Sequence, residues 1–396
     1  MVQAREIWIT GIGLLSSLGE GPDIHMKRLH DGDLPVTDRT LFPPYLLHPL
    51  AKVDFDKQIP KKGDQRQMEP WQRIGTYAAG LALADAGIAG NTEILQKTDM
   101  IVAAAGGERD SAVDTAILTD LRRSNAPDAL LNARLQSDLR PTLFLAQLSN
   151  LLAGNISIVH GVVGSSRTFM GEEGAGVSAM QVAHARIASG QSEIALVGSA
   201  YNAERHDTLL IHLFDQLCYK DEFVPVFAPG RPDGFALGSM GAFLVLESAP
   251  HASARGAPPI ARLGEIYSAN MRRKPGAITA VLAKFLAEAR QKIDPAAAAI
   301  LSGATGAEPA TAEEAEALAE AGLPVRALAS RFGHGVEAVF LIGIAIAALA
   351  VREGRLFAPM PKVPLEQKTV TSLRQAIVTC IGHWRGEGLG VVEAVQ

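Results

Sequence analysis

Apolar runs closed off by glycine alternate along the chain with alanine-rich stretches whose apolar positions recur at helical spacing. The first pattern belongs to strands buried on both faces, the second to helices packed against them. Strands are predicted over Ile7–Ile9, Met100–Ala104, Ile156–Val159, Ile194–Val197, Phe243–Leu246 and Val391–Ala394. Helices are predicted over Tyr77–Ala86, Leu143–Ala153, Val177–Ala188, Ile278–Gln291, Ala312–Ala321 and Glu337–Arg352. Both kinds occur throughout, so the expected class is α/β. His251–Pro259 (HASARGAPP) is rich in Ala, Gly and Pro and reads as a linker. It divides the chain into 1–250 and 260–396, with excursions from the core pattern near 106–140 and 205–226.

Composition narrows the function classes. Hydrophobic residues make up 47% and charged residues 20% of 396 positions, a globular mix that excludes a disordered chain. A net charge of -5 offers no basic excess to displace counterions, which argues against a nucleic-acid binder. Two cysteines, Cys218 and Cys380, are too few for a disulfide framework or a cysteine zinc site. The most apolar run, Val339–Val351, is too short for a membrane span, which needs about 20 residues, and reads as a buried core helix. The opening MVQAREIWITGIG lacks a signal-peptide pattern, so a cytoplasmic protein is expected.

Few segments carry chemistry. Thr10-Gly11-Ile12-Gly13 begins like a dinucleotide-binding turn, but Ser16 stands where the third glycine belongs. Gly171-Glu172-Glu173-Gly174-Ala175-Gly176 leads from an apolar segment into a helix, the setting in which a sharp turn presents a nucleophile. Here it presents Glu173, which could equally be a carboxylate placed at a helix's positive end for roughly 0.3–1 kcal/mol. His334, in Phe332-Gly333-His334-Gly335, precedes the apolar helix between two glycines and is a candidate acid–base group. His160, His212 and His383 are scattered without metal-ligand spacing, so neither a metal nor another cofactor is expected. Arg272-Arg273-Lys274 reads as a solvated loop.

Taken in order, several motifs resemble those of the β-ketoacyl-acyl-carrier-protein synthases, the condensing enzymes of fatty acid and polyketide synthesis. They are Ile9-Thr10-Gly11-Ile12-Gly13 with Ser17-Leu18-Gly19, Ala82–Gly87, Asn150–Gly154, Ser189–Ile194, Asp233–Gly238 and Phe243–Glu247. The resemblance implies a thiolase-like fold: two similar halves, each with a mixed five-stranded sheet, stacked as a five-layer α-β-α-β-α sandwich. The helices starting near Glu173 and His334 would be the buried central pair.

The departures from the family pattern determine the expected function. Counting without gaps, Glu173 occupies the position of the family's acyl-accepting cysteine. Gly303 stands at the first catalytic histidine and Ala329 at the lysine, while His334 retains the second histidine. Ile381 and His383 fall in the glycine-rich gating loop and are expected to touch substrate. A carboxylate would form a mixed anhydride rather than a thioester, and losing one oxyanion donor typically costs about 10²–10³ in rate. The resemblance therefore implies a chain that does not condense alone: a chain-length-factor-like partner of an active ketosynthase, or a homodimer, working with an acyl carrier protein. The interface is expected at the strand around Arg167–Met170 and the neighbouring helices. Two alternatives remain: a malonyl-carrier decarboxylase or other acyl-thioester enzyme using Glu173 and His334, and a binding protein for acyl chains or carriers. A buried Glu173 carboxylate needs a partner, for which Arg167, Arg385 or a residue of a second subunit is expected.

Overall fold

The computed structural model describes residues 4–138 and 147–395. Ten strands among them form one continuous sheet path with an internal repetition. The first five are β1 (Ile7–Ser16), β2 (Asp99–Ala103), β3 (Ser166–Phe169), β4 (Ile194–Tyr201) and β5 (Met240–Ser248). The second five are β6 (Ala261–Ala269), β7 (Ala298–Ser302), β8 (Val325–Ala327), β9 (Gln375–Ile381) and β10 (Glu387–Glu393). The spatial order is β3-β2-β4-β5-β1 in the first half and β8-β7-β9-β10-β6 in the second. The pairing directions repeat as well. The three outer strands of each half run parallel, and the last two join antiparallel. Each half also carries its register shift in the equivalent pair, at Ile9/Gly11 and at Gly390/Val392. The halves meet where Ile7, Trp8 and Ile9 of β1 pair with Leu263, Arg262 and Ala261 of β6.

Helices complete the layers: α1 (Pro70–Asp85), α2 (Leu151–His160), α3 (Glu172–Ala188), α4 (Ala277–Arg290), α5 (Ala310–Ala321) and α6 (Val339–Glu353). Helices α1 and α2 cover the outer face of the first half in one hydrophobic cluster, and α4 and α5 cover that of the second. Helices α3 and α6 lie between the sheets in a cluster drawing on both, and every residue from Val339 to Val351 is buried. This is the five-layer α/β sandwich of the thiolase-like fold. Burial on all sides explains the absence of a polar stripe on α6. No helix among the described residues is long and apolar enough to cross a membrane.

Glycines in the opening motif serve packing rather than phosphate binding. A Cβ on Gly13 would sit 1.9 Å from Ala78 O, and one on Gly11 would sit 2.4 Å from Ala82 O. Strand β1 therefore rests directly on the backbone of α1, which only glycine permits.

Several element boundaries differ from the sequence reading. Ile156–Val159 lies inside helix α2, not in a strand. Its β-branched residues favour strands, but burial of Leu152 and Ile156 against α1 and the left-handed cap at Gly161 fix a helix. Of the predicted helix Leu143–Ala153, positions 143–146 lie outside the described residues. The strand expected around Arg167–Met170 is β3, a short, half-polar edge, whereas β6, β7, β8 and β9 were not anticipated, and β6 mixes exposed with buried positions. The predicted linker is a packed corner. Ala249–Ala254 is helical, Ser248 caps it, and Arg255 pairs with the buried carboxylate of Glu247. Near 106–140 and 205–226 the chain forms helices Ser111–Leu121, Pro127–Ser137 and His206–Phe214.

Candidate functional site

Strand β3 ends at Phe169, and the chain turns sharply into α3 through two residues in left-handed backbone conformations. Gly171 has φ 134° and Glu172 has φ 49°. The turn delivers Glu173, 1% exposed, at the amino end of the central helix. Gly176, one turn further, must lack a side chain, because a Cβ would lie 2.6 Å from Glu337 O at the start of the other central helix.

His334 is fixed by the Asp233–Gly238 motif. Its backbone N–H donates to Ala236 O at 2.7 Å, and its carbonyl accepts from Gly238 N at 2.9 Å. The residue after next, Val336, has φ 44°, a strained geometry for a β-branched side chain. This turn orients a fully buried imidazole toward the start of α3.

His383 arrives from the loop between β9 and β10. Gly382 N donates to Gly386 O at 2.8 Å, which closes the loop on itself. A Cβ on Gly382 would lie 1.9 Å from Arg385 O and 3.1 Å from Glu173 Oε2, so glycine is required there. Arg273 braces the loop by donating to Gly382 O and to the buried carboxylate of Glu387. Arg273 thus leaves the solvated loop assigned to Arg272-Arg273-Lys274, because a buried carboxylate recruits it.

The three elements converge on one oxygen. Glu173 Oε1 is 2.6 Å from His383 Nδ1 and 2.9 Å from His334 Nε2. These imidazoles, not Arg167 or Arg385, are the partners of the carboxylate. Arg385 instead donates to Glu172 Oε2 at 3.1 Å, and Arg167 to Ser165 Oγ at 2.8 Å. Burial alone would push the Glu173 carboxyl upward. The close approach of His334 and His383, at 2.9 and 2.6 Å, outweighs burial and holds the group well below the usual carboxylate range. Phe235 lies against both rings, with centroids 4.8 Å from His334 and 5.4 Å from His383. His212 stands beside His383 at 5.9 Å, its pKa lowered to about 4 by burial and then by the two neighbouring imidazoles. Trp384 stacks on His383 at 4.3 Å.

Other anticipated positions lie outside this convergence. Ile381, at the end of β9, packs with Ile278 and Ala310 rather than against Glu173. Gly303 follows β7, and a Cβ there would meet Thr379 O at 2.5 Å, so backbone fills the space of any side chain. Ala329 opens a short buried helix beside a void of about 10 Å³ bounded by Tyr219, Phe223 and Thr305. That void is too small for a lysine.

Two buried carboxyls escaped the sequence reading. Glu337, at the start of the turn leading into α6, is pushed up to about 7 by burial, and Glu314 of α5 likewise. Nothing in their sequence surroundings separates them from exposed glutamates. His383 did have a legible signal, a glycine-bracketed loop like that of His334. Cys380 donates to Glu173 O at 3.6 Å, but burial, then the charge of Glu173, raises its pKa well above the ordinary thiol value. Burial raises Cys218 to about 11. Burial thus disfavours the thiolate form of both.

A groove of 540 Å³ runs past the turn, between Met170–Ser178 and Ser268–Asn270 with Arg385 and Glu387. A separate 710 Å³ cleft around Phe227, Arg231, Glu308 and Lys368 includes none of the three converging side chains.

Comparison with known proteins agrees with this architecture. The model of the "Beta-ketoacyl synthase, N-terminal domain" family matches residues 4–252. A 3-oxoacyl-[acyl-carrier-protein] synthase 2 of Rhizobium meliloti (strain 1021) is 27% identical over 273 residues, covering 64% of this chain and only 61% of that relative's length. A Streptomyces rimosus protein, named an oxytetracycline polyketide beta-ketoacyl synthase 1, is 24% identical over 97% of this chain and 95% of its own. Among solved structures, the ishigamide ketosynthase/chain length factor superposes with TM-score 0.81 at 19% identity, covering 99% of this chain and 100% of that one. A beta-ketoacyl synthase from Burkholderia phymatum STM815 gives TM-score 0.80 at 19% identity with the same coverage. At such identities the structural likeness establishes the fold.

Proposed function

The chain belongs to the β-ketoacyl synthase family, and from that membership we propose that it is a non-condensing, chain-length-factor-like subunit. It works beside a cysteine-bearing ketosynthase on substrates held by an acyl carrier protein. The observation that carries this reading is Glu173 at the nucleophile turn, with two imidazoles within 2.9 Å of one of its oxygens. A carboxylate so held is a weak nucleophile, and attack on a thioester would give an anhydride. Neither cysteine supplies a thiolate, and Gly303 and Ala329 have no room for the missing histidine and lysine. The turn and the central helices persist while the reactive groups are replaced, which suits a subunit kept for its shape.

The surface supports a partner. Strand β3 is the edge of the first half, and Ile158, Val163 and Met170 beside it are 70%, 56% and 62% exposed. An edge strand flanked by exposed apolar side chains favours strand and side-chain pairing with a second subunit. Co-expression with a cysteine-bearing ketosynthase from the same cell should give a one-to-one complex, and the distribution of product lengths should change when this chain is omitted. Separate elution of the two chains, with unaltered product lengths, would overturn the reading.

Malonyl-carrier decarboxylation is the second reading, favoured by one observation. His383 brings a second imidazole to the turn although Gly303 lacks one. Both rings face an ionised carboxylate, however, and the enolate left by decarboxylation would develop negative charge beside it. Like charges at that distance oppose each other. Glu173→Gln and His334→Ala distinguish the readings, since an enzyme using these groups loses turnover in both variants.

A further inference from the structure

Glu173, His334 and His383 come from three separate parts of the chain, yet their ligand-type atoms lie within 4.8 Å of one another, and all three side chains are buried. Hydrogen bonding describes this meeting only in part. His334 Nε2 is 2.9 Å from Glu173 Oε1 but lacks hydrogen-bond geometry, so its ring direction passes beside the oxygen rather than at it. Glu173 Oε2 is also buried without a partner. His383 Nδ1 does hydrogen-bond Glu173 Oε1, yet the unpartnered His334 Nε2 and Glu173 Oε2 beside it leave donor atoms that one ion would satisfy.

We propose that Glu173, His334 and His383 bind one divalent transition-metal ion of the zinc class. Two imidazoles and a carboxylate are suitable donors, and with three protein ligands a fourth position stays open. Donors bound at about 2.0–2.2 Å in a tetrahedron sit roughly 3.3 Å apart. The separations of 2.6 and 2.9 Å therefore need to widen by less than about an ångström, and the third, within 4.8 Å, to close by roughly 1.5 Å at most. The ion would fasten the His383 loop to the start of α3. His334 Nδ1 and His383 Nε2 lack outer hydrogen-bond partners, which in metal sites orient the ring and strengthen binding. The site accordingly belongs among weaker zinc sites, and titration with free metal tests it better than metal content after purification.

This inference does not rest on the subunit reading, because partner association and metal binding are measured separately. Tag-free full-length protein, stripped with a chelator, is titrated with Co²⁺. The expected result is a visible ligand-field spectrum that saturates at one ion per chain, is displaced by Zn²⁺, and disappears in Glu173→Gln and His383→Gln. His206→Ala, at an exposed position, should keep it. Circular dichroism establishes that the variants fold. X-ray absorption of the wild-type cobalt protein should show two imidazoles and one carboxylate, which keeps the test independent of the variants. No spectrum in the wild type, an undiminished spectrum in folded Glu173→Gln and His383→Gln, or a coordination shell without imidazole would overturn the proposal.

Discussion

Glu173 carries a charge in a site where neither its neighbours nor its helix can be removed without consequence. Its folded pKa is lowered, so it contributes stability above the ordinary carboxylate range that is lost as pH falls and the group protonates. Replacing it with Ala leaves two buried imidazoles without their anion and is expected to cost about 3–5 kcal/mol in denaturant unfolding. A cost below about 1 kcal/mol would mean that the carboxylate is not held as described. Restoring the nucleophile should not restore condensation. Glu173→Cys is expected to remain at background in a condensation assay with acyl and malonyl carriers, because the positions of the lost histidine and lysine stay unfilled. Turnover well above background would contradict this account. At this scale the site was only partly legible. Glu173 and His334 were legible because turn glycines flank them. The link to His383 was not, because the pair lies 210 positions apart and only the fold closes that distance. The choice of arginine partners for Glu173 failed for the same reason.

Individual elements decide what the site can be rebuilt into. The backbone of β9 occupies the space beside Gly303, with Thr379 O at 2.5 Å from an added Cβ. Gly303→Ala is therefore expected to cost about 1–3 kcal/mol through overpacking, and Gly303→His more. An unchanged unfolding midpoint for Gly303→Ala would contradict the packing argument. Helix α5 holds Glu314 against Ser302 of β7 and Thr379 of β9, with its second oxygen unpartnered. Its folded pKa is raised from 4.5 to about 7, chiefly by burial. The folded state then binds more protons than the unfolded state between those values, so this group's contribution to stability falls as pH rises through them. Glu314→Gln removes that dependence. Relative to wild type, it should gain on the order of 3 kcal/mol between pH 4.5 and about 7. Parallel stability curves would refute the assignment. Elements with strong apolar runs, such as β4, β5 and α6, were readable from pattern alone. Helix α2 was not, because its β-branched residues resemble a strand.

The whole molecule repeats one sheet plan twice and seals two helices between the copies. That plan was reachable from the sequence only through the family resemblance, since the two halves share no visible repeat. The central position of α3 and α6 explains why the site endures. Both helices are required for the core whether or not chemistry occurs at their ends, which on the proposed reading keeps the turn at Glu173 in place. On the same proposal, the edge strand β3 with its apolar neighbours is where a second subunit joins. The most direct test is intact-mass spectrometry of the complex formed with a cysteine-bearing ketosynthase, after exposure to an acyl-carrier thioester. The account predicts a one-to-one complex in which the acyl mass appears on the partner alone. An acyl adduct on this chain, or a homodimer that turns over without a partner, would contradict it.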